Sequence, residues 1–479
     1  MNRRMILYMP LQILKAEAFL LLLPACVSLI YGEKSAFGFL ICSAGMLALS
    51  FPLAHFLKPK DRVIYAKEGF VIVALSWIFM SAFGALPFVI SDEIPSYIDA
   101  LFETASGFST TGASIVTDLG SMSHGMLFWR SFTHWLGGMG ILVFLMALTN
   151  TSDRPIHIMR AEMPGPVVGK IVPRAKDTAK ILYLLYLGLT VAEAVCLLIG
   201  GLDLFESLVY AFGTAGTGGF GLRADSLVGY STFVQWVITV FMFLFGINFN
   251  LYYLFFVRRA GDVVRNRELW TYVGIAAAAT VLIYVNTYPL TQNAAVTLKD
   301  ASFQTAAILT TTGFASVDFN LWPQLSKNIL FILMFIGGCA GSTAGGFKIS
   351  RLMILCKVIR REVVKLLHPR SVKVIRMEGK KVDEAVIHNT CSYLAVYCLC
   401  IFIVFFLLSF DAFDLETSFT ATVSCFNNIG PAFGAAGPME GYAAFSGFSK
   451  LVLTAAMLLG RLEVFPILLA VSPDTWIKK

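Results

Sequence analysis

One arrangement occurs four times in this chain. A long apolar run is followed by a half-length amphipathic stretch, a polar triplet ending in glycine, and a second apolar run. The triplets are Thr110-Thr111-Gly112, Thr217-Gly218-Gly219, Thr311-Thr312-Gly313 and Asn428-Ile429-Gly430, with their glycines 107, 94 and 117 residues apart. Thirteen residues before the first three glycines stands an acid: Asp99, Glu206 and Asp300. The fourth unit has Thr417 there and Glu416 one step earlier. The half-length stretches, 97–109, 203–216, 298–310 and 414–427, are predicted to be helices that begin near an acid, which suits the positive end of a helix dipole. They are shorter than the ~20 residues a helix needs to cross a bilayer.

The rest of the sequence makes that shortness informative. Of 479 residues, 57% are hydrophobic and only 14% are charged, far below the charge of an ordinary soluble domain. Apolar segments recur near 17–31, 37–57, 69–90, 125–150, 181–200, 232–257, 271–289, 328–347, 391–410 and 451–471. The fold class is therefore an all-α polytopic membrane protein with no separate soluble domain. Arg3 and Arg4 ahead of an apolar run also fit a signal peptide. Lys15 and Glu17 interrupt that run, and a retained helix is expected. In hydrocarbon, each unpaired backbone N–H or C=O costs several kcal/mol, so a bare turn survives at membrane depth only inside protein or along a watery path. Four such turns, each behind a short helix, are expected to surround one pore axis, where backbone carbonyls can replace an ion's hydration shell. Glycine is needed where a loop must present successive carbonyls to that axis. A single triplet would read equally well as a small-residue packing site between helices.

The net charge of +7 is a topology signal and not a nucleic-acid footprint. Lys and Arg gather at the amino terminus, 58–67, 154–180, 258–267, 351–381 and the last two positions. The positive-inside rule places these loops, and both termini, in the cytoplasm. The nine cysteines are scattered and form no metal or disulfide pattern. His124 and His134 have no ligand partner four residues on. No nucleophile–base constellation suggests an enzyme, and no cofactor is expected.

Two further features stand out. The stretch Phe335–Phe347 holds five glycines, Gly337, Gly338, Gly341, Gly345 and Gly346, in thirteen residues. Each glycine costs about 1 kcal/mol against alanine inside a helix, so this stretch is expected to unwind. It reads as a helix broken at mid-membrane or as a flexible helix end near the cytoplasm. Arg461 lies in the last apolar run, where an arginine at a helix centre costs roughly 2.5–3.5 kcal/mol. It must face protein or water, or snorkel to the interface.

These residues resemble the Trk/Ktr/HKT superfamily of potassium transporters, and most of all its TrkH branch. The resemblance rests on His134-Trp-Leu-Gly-Gly-Met-Gly140, the loop Gly337–Gly346, Asn427-Asn-Ile-Gly-Pro431 and Leu459-Gly-Arg-Leu-Glu463. It implies two leading transmembrane helices (1–68) and four M1–pore helix–M2 repeats around a pseudo-four-fold pore, at 69–178, 179–268, 269–385 and 386–479. It implies that the four triplets form a potassium selectivity filter and that the glycine loop and Arg461 form an intramembrane gate. Potassium is then the substrate, carried across the bacterial inner membrane. A homodimer is implied, docked on a cytoplasmic nucleotide-binding subunit similar to TrkA. The segment 351–381, with ten Lys or Arg, is the expected docking surface, although positive-inside topology alone also accounts for its charge. In this superfamily a serine in place of a filter glycine goes with sodium transport, and all four positions here are glycine. The fourth triplet departs from the others, with Asn428 for Thr and Pro431 behind its glycine. The competing reading is a secondary symporter coupling potassium to protons or sodium, since transporters also use broken helices at the midplane.

Overall fold

The computed structural model describes residues 2–59, 64–140, 175–371 and 373–476. The far half of the 125–150 segment, most of the basic stretch 154–180, part of the basic stretch 58–67 and the last two lysines lie outside the described residues.

Six helical spans are long and apolar enough to cross a membrane: Arg3–Ile30, Ser35–Phe56, Lys67–Ile90, Asp177–Ile199, Arg267–Thr291 and Glu384–Leu408. Two bent pairs, Thr232–Phe245 with Phe249–Phe256 and Gly447–Arg461 with Phe465–Val471, account for two more. The two remaining apolar segments appear as the shorter helices His124–Gly138 and Gln324–Ile336. Among the described residues the only sheet is a small hairpin pairing Arg376–Met377 with Lys380–Lys381. Large side chains such as Phe37, Leu184, Phe402 and Phe406 point outward, as on a surface solvated by lipid.

The short helices are Tyr97–Phe108, Leu204–Ala215, Ala294–Leu309 and Leu415–Asn427. The longest has 16 residues, about 24 Å at 1.5 Å per residue, and so falls short of the ~30 Å hydrocarbon core. Each starts on a side-chain cap. Ser96, Asp203 and Asp414 accept from the backbone N–H of Asp99, Glu206 and Thr417. The third helix begins four residues before the expected Leu298, because Asn293 caps it by accepting from Ala295 and Val296 N–H. Asp300 is therefore mid-helix and does not sit at the dipole end. It pairs with Lys299 at 2.9 Å instead.

Each short helix packs against the long helix before it in its own repeat. Each also packs against the second helix of the preceding repeat: His124–Gly138 on Leu204–Ala215, Thr232–Phe245 on Ala294–Leu309, and Gln324–Ile336 on Leu415–Asn427. Gly447–Arg461 completes the cycle by packing on Tyr97–Phe108. The leading helices lie outside this cycle. Arg3–Leu20 packs on Ala66–Gly84, and Leu22–Ile30 on His124–Gly138.

Breaks in the second helices are more widespread than glycine content suggested. The second repeat bends by 89° around Gly246–Asn248, and the fourth by 118° after Arg461. The latter break has no glycine at its turn. Glu463 and Val464 take φ of 54° and 66°, a strained setting for a β-branched residue. Arg461, read from sequence as mid-helix, is the last residue of its helix.

Candidate functional site: four converging glycine turns

Each short helix ends in the same backbone turn. The N–H of the triplet's first residue donates to the carbonyl three back, and the second residue's N–H donates to the carbonyl five back: Thr110 to Gly107 and Thr111 to Ser106 in the first repeat. The other repeats match, with Thr217 to Thr214 and Gly218 to Gly213, Thr311 to Ile308 and Thr312 to Ala307, and Asn428 to Cys425 and Ile429 to Ser424. The first residue of each triplet is left-handed, with φ of 57° at Thr110, 55° at Thr217, 55° at Thr311 and 58° at Asn428. The glycines follow at 77°, 82°, 81° and 102°. Threonine rarely adopts this region, and a residue held there stores about 1–3 kcal/mol. Three strained threonines and one asparagine at matching positions mark a backbone shape that the surrounding packing enforces.

The turns meet in cyclic order. A Cβ on Gly112 would overlap the carbonyl of Gly218, and one on Gly219 the carbonyl of Thr312. On Gly313 it would overlap the carbonyl of Ile429, and on Gly430 it would come within 2.6 Å of the carbonyl of Thr111. In every case the glycine faces the carbonyl of the residue just before the next repeat's glycine, and the fourth returns to the first. All four glycines line one cavity of about 310 Å³, together with Arg130 and Arg223. Thr110, Thr111, Thr217, Thr311 and Thr312 are fully buried. Asn428, the residue that breaks the threonine pattern, ties the fourth turn to its neighbours: Nδ2 donates to Thr111 Oγ1 at 3.0 Å and to Met457 O at 2.9 Å.

The limb leaving each turn is tethered back to its own short helix, by a different side chain each time. Ile115 N–H donates to Glu103 Oε2 at 2.9 Å, Leu222 N–H to the Tyr210 hydroxyl at 3.5 Å, and Phe433 N–H to Thr420 Oγ1 at 3.1 Å. In the third repeat the Ser316 hydroxyl donates to Asp300 at 2.8 Å. Glu103 is also paired with Arg130 at 2.6 Å, both side chains being almost wholly buried. The guanidinium lies 4.1 Å from the Phe220 ring, bridging the first and second repeats. Glu103→Ala should leave a buried unpaired charge and cost about 3–5 kcal/mol. Thermal unfolding in detergent should show that loss, and Glu103→Ala with Arg130→Met should recover part of it. A double variant no more stable than Glu103→Ala alone would remove the pair from this role.

The glycine stretch lies against the other side of the turns. Gln324–Ile336 ends at Gly337, and a new helix, Ile349–Leu367, begins after Lys348. Within the loop Gly337, Gly341 and Gly346 are left-handed, at 76°, 72° and 76°. Gly345 N–H donates to Thr311 Oγ1 at 2.6 Å, joining loop to triplet. Gly338 carbonyl accepts from Ile349 N–H at 3.1 Å. Three other elements hold the loop. Glu268 accepts from Ala340 N–H at 2.7 Å, Gly246 carbonyl accepts from Cys339 N–H at 3.0 Å, and Arg461 Nη1 donates to Thr343 O at 2.9 Å. Arg461 Nη2 also donates to Gly137 O at 2.6 Å and Gly138 O at 2.7 Å, capping the last turn of His124–Gly138. Arg461 thus clamps the loop to the first repeat.

Residues 38–477 match the family model of TrkH, described as a cation transport protein. The chain belongs to the TrkH family. It is 33% identical over 467 residues to the Trk system potassium uptake protein TrkH of Escherichia coli K12, covering 95% of each chain. It is 30% identical over 493 residues to the TrkH of Halomonas elongata, covering both chains in full. Its structure superposes on the crystal structure of the potassium transporter TrkH from Vibrio parahaemolyticus with a TM-score of 0.89, at 29% identity over the whole of each chain.

This TrkH-family chain uses one residue at the site that spacing alone did not single out. His134 Nδ1 lies 2.8 Å from Gly107 O, and Nε2 lies 3.3 Å from Phe220 N. An imidazole that donates from Nδ1 and accepts at Nε2 is neutral, and it stitches the first short helix to the second turn. A Cβ on Gly218 would collide with this ring, so glycine at that place serves the histidine. The signal in the sequence was the HWLGGMG run, whose histidine makes no sense as a metal ligand.

Proposed function

We propose that this chain conducts potassium across the inner membrane through a gated, channel-like path. The four triplets form its selectivity filter, and the glycine loop with Arg461 forms its gate. The observation that carries the reading is the closed cycle of four similarly strained turns, each setting a carbonyl against the preceding repeat's glycine. Such a cycle can place oxygens around one axis at a spacing set by backbone rather than by flexible side chains. The carboxyl ends of four short helices add negative potential there and favour a cation. The relatives' names supply potassium as the ion. Potassium-dependent growth of a bacterial strain stripped of its own uptake systems, restored by this chain, tests the assignment. No restoration by membrane-inserted protein would overturn it.

A coupled symporter is the second reading, favoured by the Glu17 carboxyl, which is buried without a hydrogen-bond partner among the described residues. Reversal potentials in liposomes separate the two: a channel-like path follows the potassium gradient alone, whereas a coupled carrier shifts with pH or sodium.

Regulation completes the proposal. A homodimer of this chain docks a cytoplasmic nucleotide-binding subunit on the basic helix Ile349–Leu367, which continues directly from the glycine loop. Arg351, on its first turn, pairs with Glu463 at 2.5 Å beside the break that follows Arg461. A pull on this helix therefore reaches both halves of the gate. Neutralising Arg360, Arg361 and Lys365 together should weaken capture of the subunit and blunt the nucleotide response while leaving the potassium-to-sodium ratio unchanged. If both survive the triple change, this helix is not the coupling element.

A further inference from the structure

Behind the break in the second repeat's bent helix lies an apolar groove of about 590 Å³, within the roughly 300–1,000 Å³ range of small-molecule sites. Leu184 and Gly188 form one wall, Ile247 and Phe256 the second, and Val263 and Leu269 its end. The one polar side chain lining it, Tyr252, is already satisfied, its hydroxyl donating to Leu244 O at 2.7 Å. Four exposed arginines, Arg258, Arg259, Arg265 and Arg267, interleave with the wall residues between Phe256 and Leu269. Arg259 is engaged by Asp262 at 2.8 Å. Trp270 stands beside them, 58% exposed, with its indole N–H donating to Val264 O, as an interfacial tryptophan does.

The wall is also the back of the glycine loop's support. Ile247 sits between Gly246, whose carbonyl holds Cys339 N–H, and Asn248, whose side-chain amide lies against Gly341. Phe249 N–H donates to Gly341 O at 3.0 Å. Leu269 follows Glu268, which holds Ala340 N–H.

We propose that this groove binds one acyl chain of an anionic phospholipid, with its phosphate on Arg258 and Arg265, and that occupancy biases the position of the glycine loop. An apolar slot with a basic rim matches a lipid that is apolar below and anionic above. A second copy of the chain fits less well, because a self-paired face would set the arginine rim against its own copy. A ligand can shift the loop only by its differential affinity for two loop positions, and the shared wall supplies that difference. The regulatory half rests on the reading of the loop as a gate; the binding half does not.

The test uses the full chain, with phosphatidylglycerol as the probe and phosphatidylcholine as the neutral control. Lipid retained on the purified protein is read by native mass spectrometry, and cation flux is read in liposomes of the two compositions. Gly188→Phe should fill the groove without strain, since a side chain there meets open space. It should abolish preferential retention of phosphatidylglycerol and make flux independent of lipid composition. Arg258→Gln with Arg265→Gln should weaken retention by roughly fivefold for each charge removed, while phosphatidylcholine binding stays the same. Equal retention by all variants would overturn the site. Loss of dimer without loss of lipid in Gly188→Phe would overturn it too and assign the groove to a second copy. Groove-dependent retention with flux unchanged in every variant would overturn the regulatory half. A loop-shortened variant run alongside shows whether the gate reading itself has failed.

Discussion

Gly313→Ser is expected to lower the potassium-to-sodium uptake ratio on the order of tenfold, equivalent to ~1.4 kcal/mol of discrimination. Gly313 holds φ at 81°, a region that side chains other than those of asparagine and aspartate seldom tolerate. Its missing Cβ faces the Ile429 carbonyl, and Pro431 Cδ would lie 2.8 Å away. Neither obstacle is the flexible end of a side chain, so the third and fourth turns must move apart to admit serine. A ring whose selectivity depends on carbonyl spacing cannot widen at one point without changing its preference among cations. Gly274→Ala is the matched control: it sits on the long helix Arg267–Thr291 with open space around it, and it should leave the ratio as it was. An unchanged ratio in folded, membrane-inserted Gly313→Ser would remove the ring from selectivity.

The order of elements was legible because membrane burial writes length and composition directly into sequence. Six of the apolar runs became spans and two became bent pairs, and three of the four half-length stretches became short helices with an acid in the first turn. The turns were legible through glycine, since only a left-handed position facing another backbone excludes every Cβ. What stayed hidden was anything carried by a residue compatible with several settings. Asn293 looks like a loop residue until it caps a helix. Val464 gives no sign of adopting φ 66°, since a β-branched residue is ordinarily excluded from that region. A single glycine at 246 looks ordinary, although the 89° bend beside it builds the loop's support. The four exit-limb tethers use Glu103, Tyr210, Asp300 and Thr420. No sequence repeat could reveal a function conserved in geometry and not in residue type.

If the glycine loop is the gate proposed above, removing Ala340 to Gly345 should raise cation flux several-fold. The deletion is structurally modest. Lys348 N–H donates to Ile336 O at 2.9 Å, and a Cβ on Gly337 would lie 3.0 Å from Gly346 Cα, so the two limbs of the loop already touch at its neck. Rejoining Cys339 to Gly346 should therefore leave both flanking helices in place. What disappears is the tip that reaches Thr311 through Gly345 and receives Arg461 through Thr343. Arg461→Ala should act in the same direction with a smaller effect. It frees the tip from Gly137 and Gly138 and removes a positive charge from the proposed path, but it leaves the loop backbone where it is. The two changes together should give little more than the deletion alone, because the clamp has nothing left to hold. Flux that falls, or stays level, in well-folded deletion protein would make the loop a strut beneath the turns and not a barrier across the path.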